Sequence, residues 1–544
     1  MLNMDMPKGS AVAKNVAAHP RNKKTVVNEH EQLYLVRKPT SGNGARTHGD
    51  AGLEMQALTD SPAQNTLATR FMSRYVAATP ANGGHAQSER DLLLQRYADK
   101  LVVNSFLTRR VVSFQASKRI PFYRWLKYKE AFSPELVDYL FDATALPQDN
   151  EIQLLDPFAG TGTTLTRAAT RMWSATGIEL MPIGACTLKA RFVADHVDQS
   201  SFQRALELLN KLDWTASDPA WHFPHLPITK SAFPRRSETE MSAYLRFANG
   251  FRGSDVRYLL WFAALSVLED VSFTRKDGQY LRWDYRSGRK LAKHFDKGPV
   301  PSFSTAVRQR LREFAADLER RNGGNFSAHA HVIKGSCLFE LPKLPHDSVD
   351  LVVTSPPYCN RYDYTRTYAL ELAFCGLGED EVRTLRQTLL SATVENKSKK
   401  QALKNYYIRL GAARRSDRIE QAYDSQAALH EALGLLRSAR DRGELSNKNV
   451  PMLVENYFLE MAHVVFEIAR LLRRGGYAFI VNDNVRYHGE EVPVDLILCD
   501  FAEAAGLTTD RIWVLPRGKG NSSQQMGRWG RHELRKCVYC WRKR

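Results

Sequence analysis

Short apolar runs that alternate with helical patterns constrain the fold of this chain more than any other feature. The apolar runs predict strands at 152–156, 174–179, 331–334, 349–354, 477–482, 510–515 and 536–541. The helical patterns lie at 134–144, 163–172, 184–194, 366–376, 452–473 and 493–505. Apolar strands of this length, each followed by a helix, are typical of a parallel sheet with helices on both faces. The sequence therefore predicts an α/β fold with a mostly parallel, seven-stranded sheet.

Two long segments interrupt this alternation, at 205–328 and 385–450, and we interpret both as largely helical insertions into the core. Residues 1–90 are rich in small polar and basic residues with little periodicity, which predicts a disordered basic tail. The core is then divided into three parts, 91–204, 329–384 and 451–544.

The net charge of +18 indicates a polyanionic partner, and nucleic acid is the commonest such partner. No apolar stretch has the length of a membrane span, and the N-terminal residues have no apolar signal core, so we expect a cytoplasmic protein without a membrane partner. Seven cysteines spread over 544 residues do not form a disulfide framework. We interpret the pair Cys537 and Cys540 as core residues and expect no metal site.

The stretch "LLDPFAGTGTTLTRAA" places Asp156 and a glycine-containing loop between a strand and a helix. Gly160 and Gly162 allow a sharp turn close to a ligand. Glu179 ends the next strand, where a carboxylate can accept hydrogen bonds from ribose hydroxyls. Leu165 stands where a dinucleotide-binding loop has its third glycine. This pattern favours a nucleoside that carries a zwitterion over a pyrophosphate ligand.

A second loop, "TSPPY" at 354–358, follows the apolar run "VDLVV". Two adjacent prolines fix φ at both positions and remove two N–H donors, so the sheet cannot continue through them. The end of the strand is therefore expected to form a rigid cup that is rich in hydrogen-bond acceptors.

The stretches "DPFAGTGTT", "GIE", "SVDLVVTSPPY" and "KYKEAFSPELV" resemble the S-adenosylmethionine-dependent amino-methyltransferases of DNA, which methylate N4 of cytosine or N6 of adenine. The resemblance covers about 115–205 and 330–544. It implies a Rossmann-like class I methyltransferase fold, S-adenosyl-L-methionine as cofactor and double-stranded DNA as substrate. Within that fold, 91–204 would bind the cofactor and 329–384 would form the catalytic half.

The resemblance also implies which residues bind the cofactor. They are Phe132, Ser133, Asp156, Phe158, Gly160, Gly162, Thr163 and Glu179. Such enzymes often have Gly-Asp before the catalytic strand, with the carboxylate at the adenine amino group, whereas this chain has Gly335-Ser336. A serine accepts that hydrogen bond more weakly than a carboxylate, and we assign Ser336 and Cys337 to the adenine.

The same resemblance gives the TSPPY loop a chemical role. An exocyclic amine is a poor nucleophile, so the enzyme must favour the tetrahedral nitrogen that forms as the methyl group arrives. Ser355 and the Pro356 carbonyl would accept hydrogen bonds from the amino group, Pro357 would hold the cup rigid, and Tyr358 would stack on a base rotated out of the duplex. The chain has no Pro-Cys dipeptide, which disfavours methylation of cytosine C5. Serine in the first position favours N4-cytosine, with N6-adenine as the alternative.

The target sequence is expected to be read by the first insertion. A hairpin about Asp277-Gly278 interleaves charges with rings, and we assign DNA contacts to Arg275, Lys276, Tyr280, Arg282 and Trp283. The alternative is a solvated basic hairpin packed by its own aromatic residues. Basic residues of 385–450, and Arg517, Lys519, Arg528 and Arg531, either contact the duplex or only solubilise the chain.

We therefore expect a site-specific DNA methyltransferase of the modification type, located in the cytoplasm near nucleoid DNA. A cognate restriction endonuclease or another defence protein would be its partner, and the oligomeric state stays open. Two other hypotheses are methylation of guanosine N2 in transfer or ribosomal RNA, and a degenerate fold kept as a DNA-binding specificity subunit. An intact glycine loop and an intact TSPPY disfavour the degenerate fold.

Overall fold

The protein is represented by a computed structural model, which describes residues 88–146, 152–251, 254–277, 280–321, 326–516, 519–520 and 533–544. Residues 1–87 of the predicted tail, Gly278 and most of the loop around Arg517, Arg528 and Arg531 lie outside these ranges.

The strands of the described residues are β1 Leu101–Val103, β2 Gln153–Asp156, β3 Ser174–Glu179, β4 Thr274–Asp277, β5 Tyr280–Trp283, β6 Ala330–Lys334, β7 Val349–Thr354, β8 Leu472–Asp483, β9 Val485–Tyr487, β10 Glu490–Val492, β11 Thr508–Val514, β12 Lys519–Gly520, β13 Glu533–Leu534 and β14 Lys536–Arg542. The α-helices are α1 Glu89–Arg96, α2 Pro134–Asp142, α3 Thr163–Thr170, α4 Pro182–His196, α5 Gln199–Leu209, α6 Arg235–Asn249, α7 Asp255–Val267, α8 Phe303–Glu319, α9 Phe326–His329, α10 Cys337–Glu340, α11 Tyr364–Thr367, α12 Ala369–Phe374, α13 Glu379–Thr388, α14 Lys400–Arg409, α15 Ala413–Asp424, α16 Ala427–Asp441, α17 Val450–Leu471 and α18 Val494–Ala504.

The main sheet of the described residues has eight strands in the order β1-β11-β14-β8-β7-β2-β3-β6. All neighbours are parallel except β14, which is antiparallel to both β11 and β8. The seven predicted strands are all present, and the mixed α/β, mostly parallel architecture is confirmed. The eighth strand, β1, extends the sheet beyond β11 and was not predicted.

The strand order reverses between β2 and β7. From β2 the chain continues through α3 to β3 on one side, whereas β7 lies on the other side of β2. In open parallel sheets a ligand crevice forms at such a reversal, outside the carboxyl ends of the strands. The DPFAG loop follows β2, Glu179 ends β3, and TSPPY follows β7, so all three motifs lie at this edge.

The predicted start of α2 is confirmed by its cap. Ser133 has extended backbone geometry, and its Oγ accepts a hydrogen bond from the Leu136 N–H at 3.2 Å. Pro134 occupies the first turn, where its missing N–H has no cost. The single helix predicted at 366–376 is two short helices, α11 and α12, separated at Tyr368.

Both interruptions pack into the core. In the first, α6, α7 and α8 share a continuous apolar core with α4 and α12. In the second, α14, α15 and α16 pack with α17. The interpretation of Cys537 and Cys540 as core residues is confirmed, because both side chains are buried. None of the helices in the described ranges has the length and apolar character needed to cross a bilayer.

Candidate active site

A cleft of about 770 Å³, counted with its open mouth, lies at the carboxyl ends of β2, β3 and β7. Most of the predicted cofactor and catalytic residues line it: Phe132, Asp156, Phe158, Gly160, Thr163, Glu179, Ser336, Cys337, Ser355 and Pro357. The structure thus brings together residues from five separate stretches of the chain.

Four predicted residues are not among those that line the cleft. Ser133 is fully buried, and its hydroxyl caps α2, so it supports the wall next to Phe132. Gly162 has a φ of 75° and packs on Leu188, where an added Cβ would lie 2.0 Å from a side-chain carbon. Pro356 is buried behind the cup, and Tyr358 is half-buried beside it. Ser133 and Gly162 therefore support the cleft wall, and their contact with the cofactor stays a prediction.

Asp156 is buried at the end of β2. Its Oδ1 accepts hydrogen bonds from Thr354 Oγ1 at 2.6 Å and from the Phe158 N–H at 3.1 Å. Burial raises its pKa to about 6, against the opposing effect of hydrogen bonds from Thr354 and Thr164. The bond to Thr354 joins the glycine loop directly to the first residue of TSPPY.

Glu179 is fixed by two backbone donors, one at each carboxylate oxygen. Oε2 accepts from the Gly160 N–H and Oε1 from the Met181 N–H, both at 2.5 Å. Burial raises its pKa to about 8, against the lowering effect of these two hydrogen bonds. Gly184 leaves room for this side chain, because a Cβ there would lie 2.8 Å from the carboxyl carbon of Glu179. The carboxyl group is therefore held in one orientation at the cleft wall.

Ser336 and Cys337 lie on the same wall, after β6. The Ser336 hydroxyl donates to the Thr388 carbonyl at 3.2 Å, which leaves its lone pairs as acceptors. Burial raises the pKa of the Cys337 thiol, so the thiol is neutral. A neutral, partly polar wall of this kind suits a heteroaromatic ring with an amino group.

The TSPPY loop is held by β8 and β14. The Ser355 hydroxyl donates to the Val481 carbonyl at 3.1 Å and lies 3.3 Å from Tyr358 Oη. Because its hydrogen is engaged in this way, the Ser355 oxygen presents lone pairs toward the cleft. The geometry is that of an acceptor for an amino group.

Lys536 and Asp483 complete this part of the site, and no local sequence pattern indicates them. Lys536 Nζ donates to Tyr358 Oη at 3.4 Å, lies 5.2 Å from the Tyr358 ring centroid and pairs with Asp483 at 3.2 Å. Burial lowers the pKa of Lys536, but the charge of Asp483 outweighs burial and the net pKa is raised. The two residues are opposite each other in the β14–β8 pairing, which only the fold reveals.

Three aromatic and acidic residues also line the cleft without having been assigned: Tyr128, Glu130 and Tyr364. Glu130 accepts a hydrogen bond from Tyr368 Oη at 2.5 Å. Burial raises the pKa of Glu130, partly offset by hydrogen bonds from Tyr362 and Tyr368. Tyr128 and Glu130 belong to the "KYKEAF" stretch. Their closeness in sequence to Phe132, a predicted cofactor residue, is the feature that could have identified them.

Comparison with known proteins agrees with this geometry. The chain is 41% identical to the Type II methyltransferase M.AvaI of Nostoc sp. over 465 residues, which are 83% of this chain and 92% of the relative. It is 37% identical to M.BsoBI of Geobacillus stearothermophilus over 475 residues, 84% of this chain and 92% of the relative. The chain belongs to the Type II methyltransferases. A weaker similarity, 21% over 392 residues, links it to M.MvaI of Kocuria varians, covering 70% of this chain and 80% of that one. No family model matches the sequence.

The Type II methyltransferases are the DNA methyltransferases of restriction–modification. The hairpin residues that the sequence analysis assigns to DNA can now be located in the structure. In this methyltransferase β4 and β5 form an antiparallel pair with Arg275 opposite Arg282. Both arginines are exposed on one face of the hairpin. The guanidinium carbon of Arg282 lies 4.1 Å from the Phe295 ring centroid. Two adjacent cations on one exposed face suit contact with phosphates.

Lys276 is on the opposite face of the hairpin and is a correction to the predicted DNA contacts. It is 3% exposed, and its Nζ pairs with Glu371 at 2.5 Å and with Glu269 at 3.6 Å. The ion pairs tie the hairpin to α12, so Lys276 is a structural residue. Trp283 is half-buried and covered by Arg289, whose guanidinium carbon lies 3.6 Å from the ring centroid. Of the predicted hairpin contacts, the side chain of Tyr280 is outside the described part of the structure.

Proposed function

We propose that this Type II methyltransferase transfers the methyl group of S-adenosyl-L-methionine to N4 of a cytosine in duplex DNA. The observation that carries the proposal is the shared cleft, in which Ser355 and Pro357 face the same space as Glu179, Asp156 and the adenine wall. A base nitrogen and a cofactor can therefore meet without movement of the sheet.

The cleft residues fit this cofactor. Both oxygens of Glu179 keep a lone pair free to accept a ribose hydroxyl, and Ser336 and Cys337 would contact the adenine ring. Asp156, Phe158 and Thr163 would surround the methionine part, where a buried carboxylate favours a nearby cation. When bound, the cofactor supplies an electrophilic methyl group on a sulfonium.

The cup residues would reshape the nucleophile. Ser355 Oγ and the Pro356 carbonyl would accept the two hydrogens of the exocyclic amine, which favours the tetrahedral nitrogen of the transition state. No covalent bond between protein and base is required. The target base must leave the helix to reach this cup, since its amino nitrogen is otherwise stacked within the duplex.

Tyr358 would stack on the displaced base with one face of its ring. Lys536 donates to the Tyr358 hydroxyl at 3.4 Å and lies 5.2 Å from the ring centroid, so it holds the ring at its hydroxyl end. Lys536 and Asp483 are thus proposed as positioning residues for the ring.

N6 of adenine is the second candidate acceptor. The cup binds an amino group, and adenine N6 presents the same two hydrogens as cytosine N4. Serine at position 355, in place of a carboxylate or an amide, is the feature that favours cytosine. The relatives are Type II methyltransferases, and we propose that a restriction endonuclease with the same target sequence accompanies this one.

Transfer of a labelled methyl group tests the proposal. Purified enzyme with labelled cofactor should label duplex DNA that contains the target and leave transfer RNA unlabelled. Ser355→Ala should lower kcat by about 100-fold or more, as loss of a transition-state hydrogen bond does, while the affinity for the cofactor stays within about threefold. Labelling of transfer RNA but not of duplex DNA would refute the claim that duplex DNA is the substrate. Full activity of Ser355→Ala would refute the role of Ser355 as a hydrogen-bond acceptor for the amine.

A further inference from the structure

We propose that a second cleft, beside the active site, binds a backbone phosphate of the DNA, with Arg191 at its wall. The inference rests on the proposed function only in taking duplex DNA as the substrate. The second cleft encloses about 800 Å³, counted with its open mouth. It shares Tyr128, Ala131, Thr161 and Thr163 with the cofactor cleft, so a ligand in one lies next to a ligand in the other.

Arg191, on α4, is a buried cation without an anion. It is 5% exposed, its Nη1 donates to Thr166 Oγ1 at 3.1 Å, and its guanidinium carbon lies 4.4 Å from the Tyr123 ring centroid. Burial lowers its pKa to about 10, and no carboxylate among the described residues counteracts this. Its Nε has no hydrogen-bond partner within the described ranges. A buried guanidinium is costly unless paired, and its Nε edge is suited to bidentate contact with an oxyanion.

A second buried donor belongs to a residue that lines the same cleft. Ser117 lines it and is 6% exposed, and its Oγ has no hydrogen-bond partner in the part of the chain that the structure describes. Two unsatisfied polar side chains around one space indicate that a ligand with acceptor oxygens belongs there.

Three other cations that line this cleft, two arginines and one lysine, are already paired with carboxylates. Arg124 pairs with Asp317 at 2.6 Å, Lys127 with Glu269 at 3.0 Å, and Arg310 with Glu313 at 3.5 Å. The remaining lysine, Lys118, is exposed at the rim, 5.0 Å from the Phe114 ring centroid. Among the cations that line this cleft, Arg191 and Lys118 are therefore the two without a nearby carboxylate.

The surrounding chain indicates a polyanion as the ligand. From 100 to 129 the sequence has eight basic residues and no acidic one: Lys100, Arg109, Arg110, Lys118, Arg119, Arg124, Lys127 and Lys129. Of these, Arg109, Arg110, Lys118 and Arg119 are exposed. The carboxylate of the cofactor would satisfy Arg191 alone, whereas a series of phosphates matches both the buried arginine and the exposed cations.

Salt-dependent binding of a target duplex tests the site. Arg191→Met should weaken binding about tenfold or more, as loss of a charged hydrogen bond does, and should reduce the slope of log K against log salt by about one unit. Its affinity for S-adenosyl-L-methionine without DNA should stay within about threefold. The exposed double variant Lys118→Gln/Arg119→Gln should also reduce the slope and keeps the test decisive if Arg191→Met does not fold. Lys211→Gln, an exposed charge outside both clefts, should leave the slope unchanged.

An unchanged slope in both test variants would overturn the phosphate site. A loss of cofactor affinity in Arg191→Met, with the slope unchanged, would overturn it in favour of the cofactor carboxylate. The proposed function fails in a different way: methyladenine as the only product would refute the cytosine assignment and leave the slopes unaffected.

Discussion

Glu179→Gln is the substitution that tests the cofactor site most sharply. Each carboxylate oxygen already accepts one backbone N–H at 2.5 Å, from Gly160 and from Met181. A glutamine has one oxygen and one NH₂ group, so its amide nitrogen must face one of these N–H donors. The change therefore removes a hydrogen bond and places two donors against each other.

The expected loss follows from these contacts. The N–H that is left without a partner is unsatisfied in the free enzyme as well, so its cost of about 1–3 kcal/mol lowers the free energy of unfolding and not the affinity. Above the pKa of about 8, each hydrogen bond from a ribose hydroxyl changes from a charged to a neutral acceptor and weakens by about 1 kcal/mol, because charge-assisted hydrogen bonds are about twice as strong as neutral ones. Two such hydrogen bonds amount to about 2 kcal/mol, which raises the Kd for S-adenosyl-L-methionine about 30-fold.

Isothermal titration calorimetry measures this Kd directly. At saturating cofactor, kcat should fall less than about tenfold, because Glu179 is assigned to the ribose and not to the reacting atoms. Glu135→Gln, an exposed carboxylate in the first turn of α2, is the matched control and should leave the Kd unchanged. A change of less than about threefold for Glu179→Gln would refute the assignment of Glu179 to the cofactor.

Three further predictions follow from the same structure. Tyr358→Ala should lower kcat/KM for DNA about 5-fold to about 150-fold, because it removes one stacking contact between a base and an aromatic ring, and should change the cofactor affinity little. A large loss of cofactor affinity would contradict the assignment of the ring to the base. The cofactor affinity of the wild type should rise as the pH approaches about 8 and level off above it, since binding favours the ionised Glu179, and calorimetry of Glu179→Gln should lack this dependence. Lys276→Met should lower the free energy of unfolding in urea by about 3–5 kcal/mol, because it leaves Glu371 buried and unpaired; a loss below about 1 kcal/mol would show that the pair is not structural.

The parts of the fold that could be predicted are those specified by local patterns. The strands β2, β3 and β7 are apolar runs that end in distinctive loops, and parallel strands bring those loops to one edge. The strand β1 was missed because three residues, Leu101–Val103, carry too little pattern. The helix predicted at 366–376 is divided because Tyr368 leaves helical geometry, with a φ of −104° and a ψ of 25°.

The parts that could not be predicted depend on partners distant in sequence. Lys276 was assigned to DNA because it belongs to a basic, aromatic stretch, yet it pairs with Glu371, 95 residues away. Lys536 meets Tyr358 from a strand 178 residues further on. Arg191 is part of an ordinary helical pattern, and only the fold places it in the wall of a cleft without a carboxylate.

We propose that the serine-proline cup promotes transfer of the cofactor methyl group to the exocyclic nitrogen of a cytosine. Nucleoside mass spectrometry of DNA from a methylation-free host that expresses the enzyme tests it most directly. We expect N4-methylcytosine, with a much lower yield when Ser355→Ala is expressed at the same level. N6-methyladenine or 5-methylcytosine as the sole product, or an undiminished yield from Ser355→Ala, would show that the proposed role of the cup is wrong.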